Sequence, residues 1–436
     1  MTEFAQTYMR DVYIVDGART PFLKAKGKPG PFSASDLAVK AGKELLARQS
    51  FNPTDFDEVI VGCVAPSANE ANIARLIALR LECGNAMPAF TVQRNCASGM
   101  QSLDSACKDI ASGRANLILA GGTEAMSRAP LLFNDEMTMW FAGIMSAKNW
   151  KMKLKEYIQF RPSFLKPVIS LLCGLHDPYV NLNMGQTAEN LAYRFHISRH
   201  EMDEFALTSH QRVIKAQDDD YLKEVETVYA NNGSFFAKDD GVRADTTMEK
   251  LAALKPFFDK KFGSVTAGNS SQISDGAAML ILASKDAVQK YRLPVLAKII
   301  DTQWAGVDPA EMGLGPVYAT AKLLKNQRRS MDSIDFWEIN EAFAAQVIAC
   351  QSAWDSDDYC KKNLGFDKKL GAIETSRLNV DGGAIALGHP VGASGARIVL
   401  HLAEILRREN AKTGIATICI GGGQGGAMLI ENVSGV

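Results

Sequence analysis

Two glycine clusters, Gly121-Gly122 and Gly421-Gly422-Gly423, each close a run with the same grammar: a turn of small residues, an amphipathic helix, a short buried strand. In the first run, Pro88-Ala89-Phe90-Thr91-Val92 has the apolar, β-branched character of a buried strand and leads into the turn Asn95-Cys96-Ala97-Ser98-Gly99. Met100, Leu103, Ala106, Cys107, Ile110 and Ala111 then recur at helical spacing. Gly113 supplies a stop, and Asn116-Leu117-Ile118-Leu119-Ala120 is the strand that ends in glycine. In the second run, the turn around His389 precedes a helix through Ile398 to Leu406, and Gly414 to Ile420 is the strand. Strands alternating with helices predict parallel pairing with helices on both faces. Two such runs predict an α/β chain of two duplicated βαβαβ-type halves, their interval being far too long for a solenoid repeat.

The remaining elements fill out that plan. Asp11 to Val15 reads as a first strand, and Ser35 and Asp36 can cap the amphipathic segment Leu37 to Arg48. A buried strand at Glu58 to Val64 and a helix at Ala71 to Cys83 follow. In the second half the order is Pro294 to Ile300, helical Val317 to Lys325, strand Asp335 to Ile339, and helical Phe343 to Ala353. The reading is an N-terminal half over 1–127, completed by about 272–292, an insertion over 128–271, and a C-terminal half over 293–436. The insertion carries a helix after Asn183-Met184-Gly185-Gln186 and another over Arg199 to Ala216. Its first part, Met137 to Val180, interleaves Trp, Phe, Met and Leu with Lys148, Lys151, Lys153, Lys155, Arg161 and Lys166. Two readings stand for that stretch: a helical subdomain packed on the core or a sister subunit, or a surface that binds a membrane or a partner protein.

Composition excludes several function classes. With 48 basic and 49 acidic residues the net charge is -1, so nothing in the bulk charge argues for nucleic acid. The eight cysteines (63, 83, 96, 107, 173, 350, 360, 419) form no C-x-x-C pair and no Cys/His cluster with metal spacing, so no metal is expected. Scattered thiols fit a reducing compartment. Met1 to Arg10 lacks an apolar leader core, Asn432 to Val436 is no evident address tag, and no apolar run reaches membrane-spanning length. Together these predict a cytoplasmic protein.

Reactive residues gather in turns. Cys96 falls at a strand-to-helix junction, where the helix N-terminus and free backbone N–H groups favour thiolate. Gly268-Asn269-Ser270-Ser271, Asn340-Glu341-Ala342-Phe343, Gly388-His389-Pro390-Val391-Gly392 and Cys419-Ile420-Gly421-Gly422-Gly423 also sit at strand ends or just before helices. Taken singly, each thiol reads as core and His389 as a satisfied structural group. In an open α/β sheet, however, such turns converge on one crevice, so they can meet there as nucleophile, base, acid and orienting group. Gly421-x-Gly423-x-x-Gly426 matches the dinucleotide fingerprint by letters, but strand-like Ala427 to Glu431 follows it, leaving no helix to receive a pyrophosphate.

Asn95-Cys96-Ala97-Ser98-Gly99, Asn340-Glu341-Ala342-Phe343, Gly388-His389-Pro390 and Cys419-Ile420-Gly421-Gly422-Gly423 stand in an order and spacing that resembles the thiolase (acetyl-CoA C-acyltransferase) family over nearly the whole chain. The resemblance implies the five-layered thiolase fold with an inserted loop domain covering coenzyme A, and a homodimer or a homotetramer built from dimers. It implies Cys96 as the acyl-accepting nucleophile, His389 as its base, and Cys419 as the acid/base at the α-carbon of acetyl-CoA. Asn340 would orient a water for one oxyanion hole, and the N–H groups of Cys96 and Gly421 would form the other. Ser271 matches a serine near the pantetheine arm and Met184 a pocket-lining methionine. The implied reaction is reversible thiolytic cleavage of 3-ketoacyl-CoA, with CoA and acyl-CoA as substrates and no metal or prosthetic group. Rival readings are a decarboxylating condensing enzyme, which typically pairs two histidines with its cysteine, and a non-catalytic lipid-binding or scaffold subunit. Asn183 stands where many short-chain thiolases have histidine, whereas the long Met137–Val180 stretch resembles the loop domain of thiolases from fatty-acid oxidation complexes. That second likeness implies a partner in such a complex.

Overall fold

The computed structural model describes residues 10–433. The segments before Arg10 and after Val433, on which the leader and address-tag readings bear, lie outside the described residues. The N-terminal half runs β1 (Val12–Arg19), α1 (Ala34–Ala47), β2 (Glu58–Gly62), α2 (Ile73–Arg80), β3 (Ala89–Val92), α3 (Ser98–Ala111) and β4 (Leu117–Ala125). The insertion contributes α4 (Asp135–Ser146), α5 (Trp150–Ile158), α6 (Met184–Arg194) and α7 (Arg199–Asp218). The chain then returns through β5 (Ser274–Ser284), β6 (Ala297–Gly306), α8 (Gly315–Gln327), β7 (Phe336–Ile339), α9 (Ala344–Trp354), α10 (Val391–Arg408), β8 (Thr413–Ile420) and β9 (Gln424–Glu431).

One ten-stranded sheet runs through both halves in the order β7-β8-β9-β6-β1-β5-β4-β2-β3, with Leu23–Lys24 added beside β5. The halves join where β1 pairs antiparallel with β6, Val12 opposite Ile299. Parallel pairing, predicted throughout, holds only at the two ends, for β2 with β3 and β4 and for β7 with β8. The middle is antiparallel because those strands are joined by a hairpin (β8–β9) or by long excursions, and buried strands read alike whichever way they run.

Side-chain alternation along each strand builds five layers, helix–sheet–helix–sheet–helix. Leu117 and Leu119 of β4 pack outward with α1 and α2, whereas Ile118 and Ala120 turn inward. Ile415 and Leu429 pack outward with α8 and α9, whereas Ala416, Ile418 and Ile430 turn inward. The inward faces enclose α3 and α10, whose Met100, Leu103, Ile398 and Leu402 are fully buried. Each such aliphatic side chain adds roughly 1.5–3 kcal/mol of burial free energy, which anchors the central helix pair between the sheet faces.

The helix pair also explains the glycines around the turns. A Cβ on Gly99 would lie 2.7 Å from the Ala396 backbone nitrogen, and one on Gly395 2.6 Å from that of Met100. Only side-chain-free backbone lets α3 and α10 cross this closely. The α1 cap is Ser33, not Ser35: Ser33 Oγ accepts from the Asp36 N–H while the Asp36 carboxylate accepts from Ser33 N–H. Among the described residues no helix is long and apolar enough to cross a membrane. Within the chain, α4 and α5 do not pack into the core; Met137 is the one buried residue along them, so the core-packed reading of this stretch does not hold for the chain alone.

Candidate active site

Cys96 lies in the turn between β3 and α3. Asn95 before it takes a left-handed φ of 41°, and its Nδ2 donates to the Gly421 carbonyl at 2.8 Å. This one bond clamps the Cys96 turn onto the β8–β9 turn. The backbone N–H groups of Gly421 and of Cys96 itself lie beside the half-buried Cys96 sulfur and favour its thiolate. Burial nevertheless pushes its thiol up; the two N–H groups offset only part of that cost. The thiolate expected from the helix N-terminus is therefore not the resting state.

Cys419 is buried near the end of β8, its thiol raised far above the usual range first by burial and then by the neighbouring Cys96 sulfur. It therefore keeps its proton. A Cβ on Gly421 would meet Met184 Sδ at 3.2 Å, which places the first residue of α6 over the same turn. Gly421 being bare keeps its N–H open beneath that sulfur.

Asn340 ends β7. Its backbone N–H donates to Thr417 O at 3.0 Å, two residues before Cys419. Its side chain is fully buried, yet neither Nδ2 nor Oδ1 has a hydrogen-bond partner among the described residues. Such a carboxamide has unmet bonding capacity facing the interior. The neighbouring Glu341 carboxylate accepts from Ser209 Oγ (2.6 Å), Asn379 Nδ2 (2.8 Å) and the Ile385 N–H (3.2 Å), which fixes the turn.

Ser271 connects this turn to the histidine. Its N–H donates to Ala342 O at 2.9 Å, and the next carbonyl, Gln272 O, accepts from His389 N–H at 3.0 Å. His389 directly precedes α10 and is buried, which drives its imidazole down to about 3, with the Arg397 charge adding to the effect. The ring is neutral, and its tautomer follows from donor accounting. Ser394 Oγ gives its single proton to Pro390 O (3.0 Å), so at the 2.6 Å contact it accepts from Nδ1–H. Nε2 is then the bare, unpartnered nitrogen, free to take a proton.

Cys96, Cys419, Gly421 and Met184 thus meet at one turn pair, tied through Thr417 to Asn340 and onward to Ser271 and His389. Cys96 and His389 each stand two residues before the helices α3 and α10, whose first turns touch: a Cβ on Gly99 would lie 2.9 Å from Gly392 O, so two positive helix ends lie side by side. Three contributors escaped the sequence reading. Ser394 and Glu341 sit within a turn of residues that were singled out, and a polar side chain amid small residues there was the available signal. Glu124 gave none. It is a fully buried carboxylate that ties both halves together, accepting from Val64 N–H (2.9 Å), Ala65 N–H (3.0 Å) and Gly392 N–H (3.0 Å) at the start of α10.

Comparison with known proteins agrees with this architecture. Residues 12–286 match the family model described as thiolase, N-terminal domain, and residues 293–432 match thiolase, C-terminal domain. The rat mitochondrial 3-ketoacyl-CoA thiolase is 39% identical over 431 residues, 98% of this chain and 99% of its own. The human mitochondrial trifunctional enzyme subunit beta is 37% identical over 429 residues, 98% of this chain and 90% of its own. A crystal structure of human mitochondrial 3-ketoacyl-CoA thiolase in complex with CoA superposes with a TM-score of 0.84 at 37% identity, covering 98% of this chain and 99% of that one. The mitochondrial names of these relatives overturn the cytoplasmic expectation: dispersed free thiols and a missing leader core report on redox conditions and secretion, not on the organelle. Two matching domain models, full-length relatives and a shared five-layer fold lead to one conclusion: the chain belongs to the thiolase family.

Proposed function

We propose that this chain catalyses CoA-dependent cleavage of 3-ketoacyl-CoA to acetyl-CoA and a shortened acyl-CoA, reversibly, through an acyl group carried on Cys96. The observations that support the reading are a Cys96 thiol that burial keeps protonated beside the Cys96 and Gly421 N–H groups, and a neutral His389 imidazole with a bare, unpartnered Nε2 ahead of the neighbouring helix α10. His389 takes the proton from Cys96, and the thiolate attacks the keto carbon. The carbon–carbon bond breaks, its electron pair passes to the α-carbon, and Cys419 protonates that carbon to release acetyl-CoA. The Cys419 thiolate then takes the proton of an incoming CoA thiol, CoA attacks the acyl group, and Cys96 leaves and regains its proton from His389. The Cys96 and Gly421 N–H groups hold the oxyanion of the acyl-enzyme stage. Asn340 orients a water against the other carbonyl, and Ser271 and Met184 border the CoA arm and acyl pocket. No resident cofactor enters these steps.

The relatives' names support a fatty-acid degradation role, and the beta-subunit likeness supports a partner subunit of an oxidation complex beside a homo-oligomeric core. Incubation with acetoacetyl-CoA and CoA, followed by loss of the enolate absorbance, tests the activity. Neither a decarboxylating condensing enzyme nor an idle scaffold consumes that substrate. Cys96→Ser is expected to abolish both turnover and acyl-enzyme formation. Cys419→Ser is expected to retain acylation of Cys96 from acetyl-CoA while condensation collapses; equal loss of acylation would refute this division of labour. Thiolysis rates from four-carbon substrates upward set the chain length.

A further inference from the structure

Two arginines are fully buried among the described residues, and they are used differently. Arg19 spends its nitrogens on Glu224 (3.2 Å) and on both oxygens of Asp239 (2.7 and 3.0 Å). Arg397, in the second turn of α10, makes one ionic bond, from Nη1 to Glu338 Oε2 at 2.8 Å. Its Nε and Nη2, and the Glu338 Oε1, have no partner among the described residues. A buried charge pair left this unsatisfied adds little to stability, because desolvation of both ions offsets their attraction. Its place in the fold supplies a different use.

That place is one step from the active site. Glu338 and Asn340 alternate onto the same face at the end of β7. On α10, Arg397 follows Ser394 by three residues, so the two share a helix face, and Ser394 Oγ accepts from His389 Nδ1–H at 2.6 Å. The Arg397–Glu338 bond therefore cross-links the helix behind His389 to the strand that leads into Asn340. Those two braced residues also carry the unpartnered His389 Nε2 and Asn340 carboxamide. The titratable residues on the elements that meet at His389 are Cys96 before α3, Glu124 on β4, Asp275 on β5, Glu338 and Glu341 at β7, Cys419 on β8 and Arg397 on α10. After burial itself, it is the Arg397 charge that disfavours the imidazolium. A base that must return its proton when Cys96 leaves the acyl group is served by an imidazolium that holds it weakly.

Building on His389 as the base for Cys96, we propose that Arg397, held by Glu338, is a positioning residue: it braces His389 against Asn340 and biases the imidazole toward returning the proton it takes from Cys96. The test is iodoacetamide alkylation of Cys96 in the full chain near neutral pH, set beside steady-state thiolysis of acetoacetyl-CoA. Alkylation is read on the Cys96 peptide by mass spectrometry, because the exposed Cys173 also reacts. Glu338→Gln/Arg397→Met replaces the pair by neutral groups of similar size, which is milder than leaving one charge buried alone. In that variant the imidazole holds the Cys96 proton more tightly, so alkylation is expected to quicken about tenfold, the equivalent of about one pH unit of base strength. Over the same change kcat should fall about tenfold with little effect on KM. Arg397→Lys keeps the charge and should alkylate at the wild-type rate. Glu338→Gln alone also keeps it, and removes the titration of a carboxyl that burial raises, so its alkylation should not quicken. A pair that merely holds the fold would slow alkylation in the double variant or leave it unchanged, and either result overturns the proposal. Quickened alkylation in Glu338→Gln alone overturns it too. Because alkylation needs no turnover, it decides the role of Arg397 even where cleavage of acetoacetyl-CoA fails.

Discussion

Burial keeps the His389 imidazole neutral, and Ser394 decides which nitrogen is bare. Three expectations belong at this scale. Ser394→Ala should lower the thiolysis kcat about tenfold to a hundredfold with little change in KM, because the base is mispositioned and not removed; stopped-flow acylation of Cys96 reads the affected step. With the ring held at about 3 against an ordinary 6.5, the neutral form is lost only far below neutrality, so kcat/KM should show no acid limb near pH 6.5. A limb there would mean the imidazole is more hydrated than its burial indicates. Asn340→Ala removes the unpartnered carboxamide proposed to orient the oxyanion-hole water and should cost about a hundredfold in kcat, the scale of losing one such donor. The turns singled out Cys96, Asn340 and His389, but not Ser394. The protonation states were not legible there: helix-end logic pointed to a Cys96 thiolate, but desolvation, which depends on every atom packed around the sulfur, outweighs it.

The elements that carry the site are α3 and α10, and their crossing sets its dimensions. Gly122 of β4 lies under that crossing, where an added Cβ would fall inside the van der Waals radius of the Gly392 carbonyl oxygen, which is backbone and cannot swing away. Gly122→Ala is therefore expected to destabilise the protein by about 1–3 kcal/mol, measured by urea denaturation, and to depress activity beyond that by displacing the start of α10. Apolar periodicity located both helices, and the buried strands before and after them. Strand direction was another matter. β5 and β9 are buried along all or nearly all of their length, and a strand buried on both faces has the same composition whether its neighbour runs with it or against it.

At the scale of the whole molecule, a buried ionic chain ties the parts together. Arg19 of β1 pairs with Asp239 (2.7 Å) and Glu224 (3.2 Å) of the insertion; Glu224 also meets His401 of α10 (3.1 Å), which reaches Asp381 (3.1 Å). Burial alone would lower the His401 value, but Glu224 and then Asp381 outweigh it and raise it to about 10. A histidine raised in the folded state stabilises fully below its unfolded value of 6.5, and that contribution is lost as pH rises through about 10. Stability should accordingly fall between pH 6.5 and 10. His401→Gln should cost about 3–5 kcal/mol at the acid end and flatten the slope, read from urea midpoints across that range. None of this ionic chain was visible beforehand, since its members come from segments far apart in sequence and their pairing depends on how the insertion lies against the core. Local grammar by itself determined the α/β class, the repeated strand–turn–helix units and the turns that hold Cys96, Asn340, His389 and Cys419, because hydrophobic period and turn chemistry act over a few residues. Only the tertiary structure decided strand direction, the Asn95–Gly421 clamp, the Nδ1–H tautomer of His389 and the exposure of α5, because each depends on which distant atoms exclude water and which leave a surface open.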